Sequence, residues 1–383
     1  MTSLIPQSLE PRTVAAKLAQ IDWALPALAI ALALVGVAAL YSTAGGQFEP
    51  WAGRHAMRAA AGLLIIFVVG LIPPRVWLRL ANPIYLAVLV MLLAVPLVGH
   101  SQLGARRWLG SGEMSLQPAE IMKIALVLAL ARYYQWLPVG RQSNLLWLLP
   151  PLAMIGLPAV LVLKQPDLGT AVLILAAGIA VLFLAGVRPL FFVVGAAAAA
   201  GLAQGIWPFL KDYQRRRLLT FVDPGQDPLG AGYHIAQSKI ALGSGGLNGR
   251  GFLGGTQSQL NFLPEKHTDF IFTMLGEETG FIGAVALMVL YAALIGALFV
   301  VALRGRSAFA RLLASGVGVL FALHVSVNIG MVTGLLPVVG VPLPLVSYGG
   351  TSLLTLMFGL GLAVSAAVHR HDNLRRSETG ALW

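Results

Sequence analysis

Apolar runs near twenty residues long recur from Trp23 to Val368, separated by polar breaks. A run of about 18 or more residues with few charges can cross a hydrocarbon core roughly 30 Å thick. The pattern therefore predicts an all-α, polytopic membrane protein of about ten transmembrane helices. The predicted spans are 23–41, 56–72, 85–98, 119–137, 145–163, 168–187, 190–209, 273–303, 312–335 and 353–368. The third is short unless the segment from Leu80 joins it across Pro83. The eighth is long, so it is tilted or projects beyond the bilayer. The first run follows Arg12 and Lys17 and is too long for an ordinary signal-peptide core, although Ser42-Thr43-Ala44 faintly resembles a cleavage site. It reads as a retained first span.

Composition agrees: 57% of the 383 residues are hydrophobic and 11% are charged, against roughly 25% charged in soluble domains. The net charge of +11 raises nucleic acid as a partner. The basic residues are scattered over many short loops, however, and no Lys/Arg tract alternates with aromatics as a nucleic-acid groove requires. Their distribution instead sets an orientation. With the N-terminus inside, the inner segments carry Arg12/Lys17, Arg75/Arg79, Arg132/Arg141, Arg188, Arg304/Arg306/Arg311 and Arg370/Arg375/Arg376. The short outer loops carry Arg54, Arg106/Arg107 and Lys164, and the last carries none. Both termini are expected in the cytoplasm. The whole chain, 1–383, reads as one membrane domain with a cytoplasmic tail at 1–22 and another at 369–383. Between spans 7 and 8 lies one large extracytoplasmic loop, 210–268, whose basicity does not overturn the topology because long segments cross largely regardless of charge. With no cysteine, disulfides and thiolate metal sites are excluded.

Charged residues are scarce, yet NFLPEKHTDFIF (261–272) gathers Glu265, Lys266, His267 and Asp269 at the lip of the eighth span. Asp269 has two readings: a helix cap, shared with Thr268, or a general base at the membrane surface. Glu120 and Lys123 lie one turn apart in the fourth span, as an ion pair, a site or both. Asp167 caps the sixth span beside Lys164. Glu277 and Glu278 open the eighth, and at least one is expected to face a cavity or the interface, since adjacent helix positions point about 100° apart. Arg106, Arg107 and Trp108 form a second outer cluster, either a two-arginine clamp for phosphates or an interfacial Trp anchor with solvated arginines. The glycine run 243–255 with Arg250 is a flexible linker or an anion contact, and it fails the phosphate-loop pattern. Lys239 adds a cation to the helical-looking GYHIAQSKIAL, and His234 with His267 is weak evidence for a metal. The segment 337–350, PVVGVPLPLVSYGG, is rich in proline and glycine and is expected to re-enter the membrane or line a cavity.

Six motifs in this order resemble the SEDS family (shape, elongation, division and sporulation). They are GARRWL (104–109), QPAEIMKIAL (117–126), KQPDLGT (164–170), GYHIAQSKIALGSGG (232–246), FLPEKHTDFIF (262–272) and GLLPVVGVPLPLVSYGG (334–350). Ile21-Asp22-Trp23, QSKIALGSGGL and GTQSQL resemble the elongation branch more than the division branch. The departure is Ala119, where the family usually has serine, so no hydroxyl is available there. The resemblance implies a peptidoglycan glycosyltransferase that polymerises lipid II on the outer, periplasmic side of the cytoplasmic (inner) membrane. It implies a class B penicillin-binding protein as transpeptidase partner, beside other membrane proteins of the elongation complex. It makes Asp269 the essential aspartate and places Trp108, Lys123 and Asp167 around the same cavity. Arg106, Arg107, Glu120, Lys239 and His267 complete the substrate-binding candidates. No cofactor is certain, and a divalent cation (Mg or Mn) stays open as an aid to charge stabilisation. Two other classes remain open at this level, a lipid-linked precursor flippase and a non-catalytic scaffold of the elongation complex.

Overall fold

The computed structural model describes residues 17, 20–102, 105–110, 115–138, 140–206, 215, 219–220, 223, 231–256, 263, 265–370 and 372. Arg12, Gly104, Arg216, Arg217, Arg375, Arg376, most of DPGQDP and the stretch 257–262 lie outside the described residues.

Ten helices coincide with the ten predicted spans. They are α1 (Ala24–Thr43), α2 (Ala52–Leu71), α3 (Pro74–Val98), α4 (Pro118–Trp136), α5 (Leu145–Lys164), α6 (Leu168–Leu184), α7 (Pro189–Ile206), α9 (Ile271–Arg304), α10 (Ala308–Val332) and α11 (Gly350–Val368). An eleventh, α8 (Ala231–Ser244), forms at the helical-looking GYHIAQSKIAL, within the long segment between α7 and α9. Seven of them are long and apolar enough to cross a membrane. Glu120, Lys123 and Arg132 dilute the apolar character of α4. Helix α3 does run through Pro83 and reaches 25 residues.

The helices sort by what they face. Only 28% of the apolar window of α3 is buried in the protein, against 78% for α11. Helix α4 is buried on nearly every side, as an all-round apolar helix in a bundle core must be. Without a hydrophobic drive between helices in lipid, association rests on close packing at small residues. Here Gly62 and Gly70 of α2 receive Met357 and Val364 of α11, while Gly316 of α10 receives Val127 of α4. A Cβ at any of these three would lie within 2.6 Å of the neighbouring side chain.

Two irregular pieces interrupt the bundle. A short antiparallel hairpin, β1 (His100–Gln102) and β2 (Ala105–Trp108), follows α3. The second, between α10 and α11, carries the buried residues Val341, Leu343, Leu345, Val346 and Ser347. Non-helical backbone inside a bundle must have its carbonyls satisfied by protein. Asn328 Nδ2 donates to Val341 O at 2.7 Å, Tyr291 Oη to Pro344 O at 2.6 Å, and His55 Nε2 lies 3.1 Å from Leu345 O. The proline- and glycine-rich backbone of 337–350 is thus wedged among α1, α2, α9 and α10.

Candidate functional site

The NFLPEKHTDFIF stretch lies against that wedge. Three consecutive carbonyls are held: His267 O by Tyr348 N at 2.9 Å, Thr268 O by Ser347 Oγ at 2.6 Å and Asp269 O by Asn328 Nδ2 at 2.9 Å. The Asp269 backbone is thereby fixed relative to α10 and the wedge, the kind of support a reacting group needs. Asp269 is half-buried. Its Oδ2 lies 3.3 Å from the point where a Cβ at Gly340 would sit, and Gly340 has φ 73°. Glycine there accommodates both the left-handed backbone and the carboxylate. The helix-cap reading is corrected, because the N-cap position of α9 is Phe270, which has no side-chain acceptor. Thr268 is likewise spent elsewhere, donating to Glu265 Oε2 at 2.8 Å.

An aromatic and cationic platform adjoins it. The His267 ring stacks on Trp51 at 4.4 Å and 11°, Tyr348 lies 6.0 Å from His267, Lys266 Nζ lies 6.0 Å from the Trp51 ring centre, and the Arg58 guanidinium lies 5.0 Å over Tyr348. Burial lowers the His267 pKa below its usual 6.5, an effect that Lys266 reinforces and Glu265 opposes. Burial also lowers that of Lys266.

On the same helix as Asn328 and one turn before it, His324 turns to α4. Lys123 Nζ bonds Glu120 Oε1 at 2.7 Å and lies 2.6 Å from His324 Nε2, and all three residues are buried. His324 Nδ1 lies 2.7 Å from Leu320 O. The carbonyl can only accept, so Nδ1 carries the proton and Nε2 accepts from the lysine. The expected Glu120–Lys123 pair is present, and a four-residue step along α10, about 6 Å of rise, links it to the residue that holds Asp269. At the start of α4, Gln117 Nε2 donates to Asp167 Oδ2 at 2.9 Å. Asp167 Oδ1 caps α6 through Thr170 N at 3.1 Å, and Arg107 Nη1 lies 3.8 Å from Asp167 Oδ2.

Other expectations shift. Alternation along β2 places Arg106 and Trp108 on one face and Arg107 on the other. Arg107 is spent on the carbonyls of Gln165 and Pro166, whereas Arg106 is exposed. The two arginines do not form a clamp. Lys239 lies exposed on α8, with its stem against Gly334. The glycine run is not a free linker. Helix α9 breaks at Gly280 (φ 68°, ψ −167°), and the run supplies what the break leaves open. Arg250 N and Gly251 N donate to Glu277 O and Glu278 O at 3.0 Å each, while Phe281 N and Ile282 N donate to Gly246 O and Leu247 O at 2.9 and 3.1 Å. Glu277 and Glu278 are both buried inside protein, the first accepting from Thr256 Oγ1 and the second from Ser42 Oγ, which corrects the expectation that one faces a cavity or the interface. Among the described residues, no three His, Asp or Glu side chains gather as a metal site.

The model of the FtsW/RodA/SpoVE family, described as cell cycle protein, matches residues 19–372. The chain belongs to this family. Its curated members include the peptidoglycan glycosyltransferase MrdB of Escherichia coli K12, 46% identical over 90% of this chain and 93% of that protein. A probable peptidoglycan glycosyltransferase FtsW of Coxiella burnetii is 37% identical over 82% of this chain and 85% of its own. Among solved structures of the family, a chain from a peptidoglycan synthase complex superposes with a TM-score of 0.81 at 34% identity, covering 92% of this chain and 99% of its own. RodA of Thermus thermophilus gives 0.70 at 30% identity, with 92% and 98% covered. Within the family fold, His324, Asn328, Trp51 and Arg58 join the site without having been singled out in the sequence, and Gln117 joins it having been named only as the first residue of a motif. Arg58, His324 and Asn328 were visible as polar residues inside apolar spans, which mark function by default. Trp51 and Gln117 carried no such signal.

Proposed function

We propose that this protein is a peptidoglycan glycosyltransferase that polymerises lipid II, with Asp269 as general base. The observation that carries the reading is the pinned Asp269, held through three successive carbonyls at the start of a membrane helix in a chain 46% identical to a named peptidoglycan glycosyltransferase. In the reaction the acceptor sugar 4-hydroxyl attacks the anomeric carbon of the donor. The new C1–O4 bond forms as the C1–O bond to undecaprenyl pyrophosphate breaks, the hydroxyl proton passes to the Asp269 carboxylate, and undecaprenyl pyrophosphate leaves with the bond electrons. Direct displacement inverts the α-phosphate to a β-linkage and requires one base. The departing charge needs cations. Lys123 and Arg107 are held by protein partners whereas Arg106 is exposed, so Arg106 is the better-placed source, and Arg58 and Lys266, each over an aromatic ring, add positive charge beside the Asp269 loop. No step is assigned to a metal ion.

The active site faces the periplasm of the inner membrane and both termini face the cytoplasm, on the basic-loop count. The partner is a class B penicillin-binding transpeptidase, supported by the peptidoglycan synthase complex among the structural relatives. Asp269→Asn, purified with that partner and given lipid II, should lose at least about 100-fold in polymerisation rate while its unfolding temperature and partner binding hold. Normal polymerisation by the variant would exclude Asp269 as the base. A loss confined to lipid translocation would favour a flippase.

A further inference from the structure

At the opposite, arginine-rich end of the bundle, a cavity of about 250 Å³ opens between α4, α6, α9 and α10. Its lining includes Tyr134, Gln142, Arg311, Ser315, Leu184 and Phe299, and no carboxylate. Three of these donors are uncommitted among the described residues. Tyr134 is 4% exposed and its hydroxyl has no hydrogen-bond partner. A buried hydroxyl without a partner is unfavourable, so an acceptor that can reach it is favoured. Gln142 uses its carbonyl oxygen on Gly140 N at 2.9 Å, and its amide nitrogen makes no bond. Arg311 is exposed and forms no ion pair. It lies in the first turn of α10, whose dipole adds positive potential. The other wall is apolar and open, with Leu184 38% and Leu303 80% exposed.

Donors and a cation without carboxylates select an anion, and the apolar wall selects a chain attached to it. The volume falls below the roughly 300–1,000 Å³ that encloses a drug-sized molecule, which suits a headgroup with its tails outside. We propose that this cavity binds the phosphate of an anionic phospholipid, with the acyl chains lying along Leu184, Phe299 and Leu303. The arginines of the adjoining segments, Arg132, Arg141, Arg188, Arg304 and Arg306, add the long-range attraction that draws such lipids to one leaflet. This site is independent of the polymerase reading.

The test uses the full-length protein released from mixed phosphatidylglycerol–phosphatidylcholine nanodiscs, with retained lipid counted by native mass spectrometry. Phosphatidylglycerol should be retained in preference to phosphatidylcholine. Arg311→Gln should lower that retention about tenfold, the loss of one charge-assisted bond. Tyr134→Phe, which keeps the ring and therefore the packing, should lower it roughly threefold, and it serves if the arginine variant fails to fold. Equal retention of the two lipids, or wild-type retention by Tyr134→Phe, overturns the proposal. Displacement of phosphatidylglycerol by millimolar inorganic phosphate would mark a free-anion site and overturn the lipid assignment.

Discussion

A single amide nitrogen, Nδ2 of Asn328, donates to Asp269 O at 2.9 Å and to Val341 O at 2.7 Å. Two segments distant in sequence therefore depend on one fully buried side chain. Asn328→Ala strands both carbonyls, and at about 1–3 kcal/mol for each unsatisfied buried group the variant should lose roughly 2–6 kcal/mol of stability. Because Asn328 positions Asp269 and does not touch substrate, kcat should fall more than KM rises, measured with lipid II beside a thermal unfolding curve. Unchanged kcat would show that the Asp269 backbone needs no such hold. Asp269 itself was legible from its place at the lip of an apolar span. Asn328 was not weighed, because in sequence it is one amide within an apolar run, and its two acceptors are brought to it only by folding.

At the scale of elements, the glycine run and α9 are one construction. Four backbone groups left open by the break at Gly280 are taken up by residues 246, 247, 250 and 251. The approach is close enough that a Cβ on Gly280 would lie 2.3 Å from Gly249 N, and one on Gly249 would lie 2.1 Å from Glu278 O. Gly280→Ala combines a nearly glycine-only conformation, costing about 1–3 kcal/mol, with overpacking of similar size. It should lower stability by about 2–6 kcal/mol. Gly243→Ala, in the same run but with no neighbour within 4 Å of its would-be Cβ, sits near the end of α8 and should be neutral or stabilising by up to about 1 kcal/mol. Denaturant unfolding of the two variants decides it, and similar losses in both would return the run to a mere linker. Sequence composition showed glycine and flexibility. The partner that makes glycine necessary lies about thirty residues further along the chain.

For the whole molecule, orientation is the prediction. The chain has no cysteine, so single introduced thiols report without background. Arg106→Cys, exposed on the β-hairpin, should react with a membrane-impermeant maleimide in cells whose outer membrane is permeable. Arg141→Cys, exposed between α4 and α5, should react only after the inner membrane is opened. The reverse pattern would invert the topology and move Asp269 to the cytoplasmic face. The ten spans were legible because each apolar run must satisfy its own backbone in lipid, a local requirement that length and hydropathy express directly.

The chain alone determined the helical membrane class, the positions of the spans to within a few residues except for the start of the third, the Glu120–Lys123 pair at one-turn spacing and the charge cluster around Asp269. These follow from periodicity and solvation, which act over neighbouring residues. Tertiary structure decided the rest. It set Arg106 and Arg107 on opposite faces, used the glycine run to close a broken helix, buried Glu277 and Glu278, and joined Lys123 to His324 and Asp269 to Asn328. Each of these depends on which distant backbone group or side chain arrives at hydrogen-bond distance, and no local pattern records that.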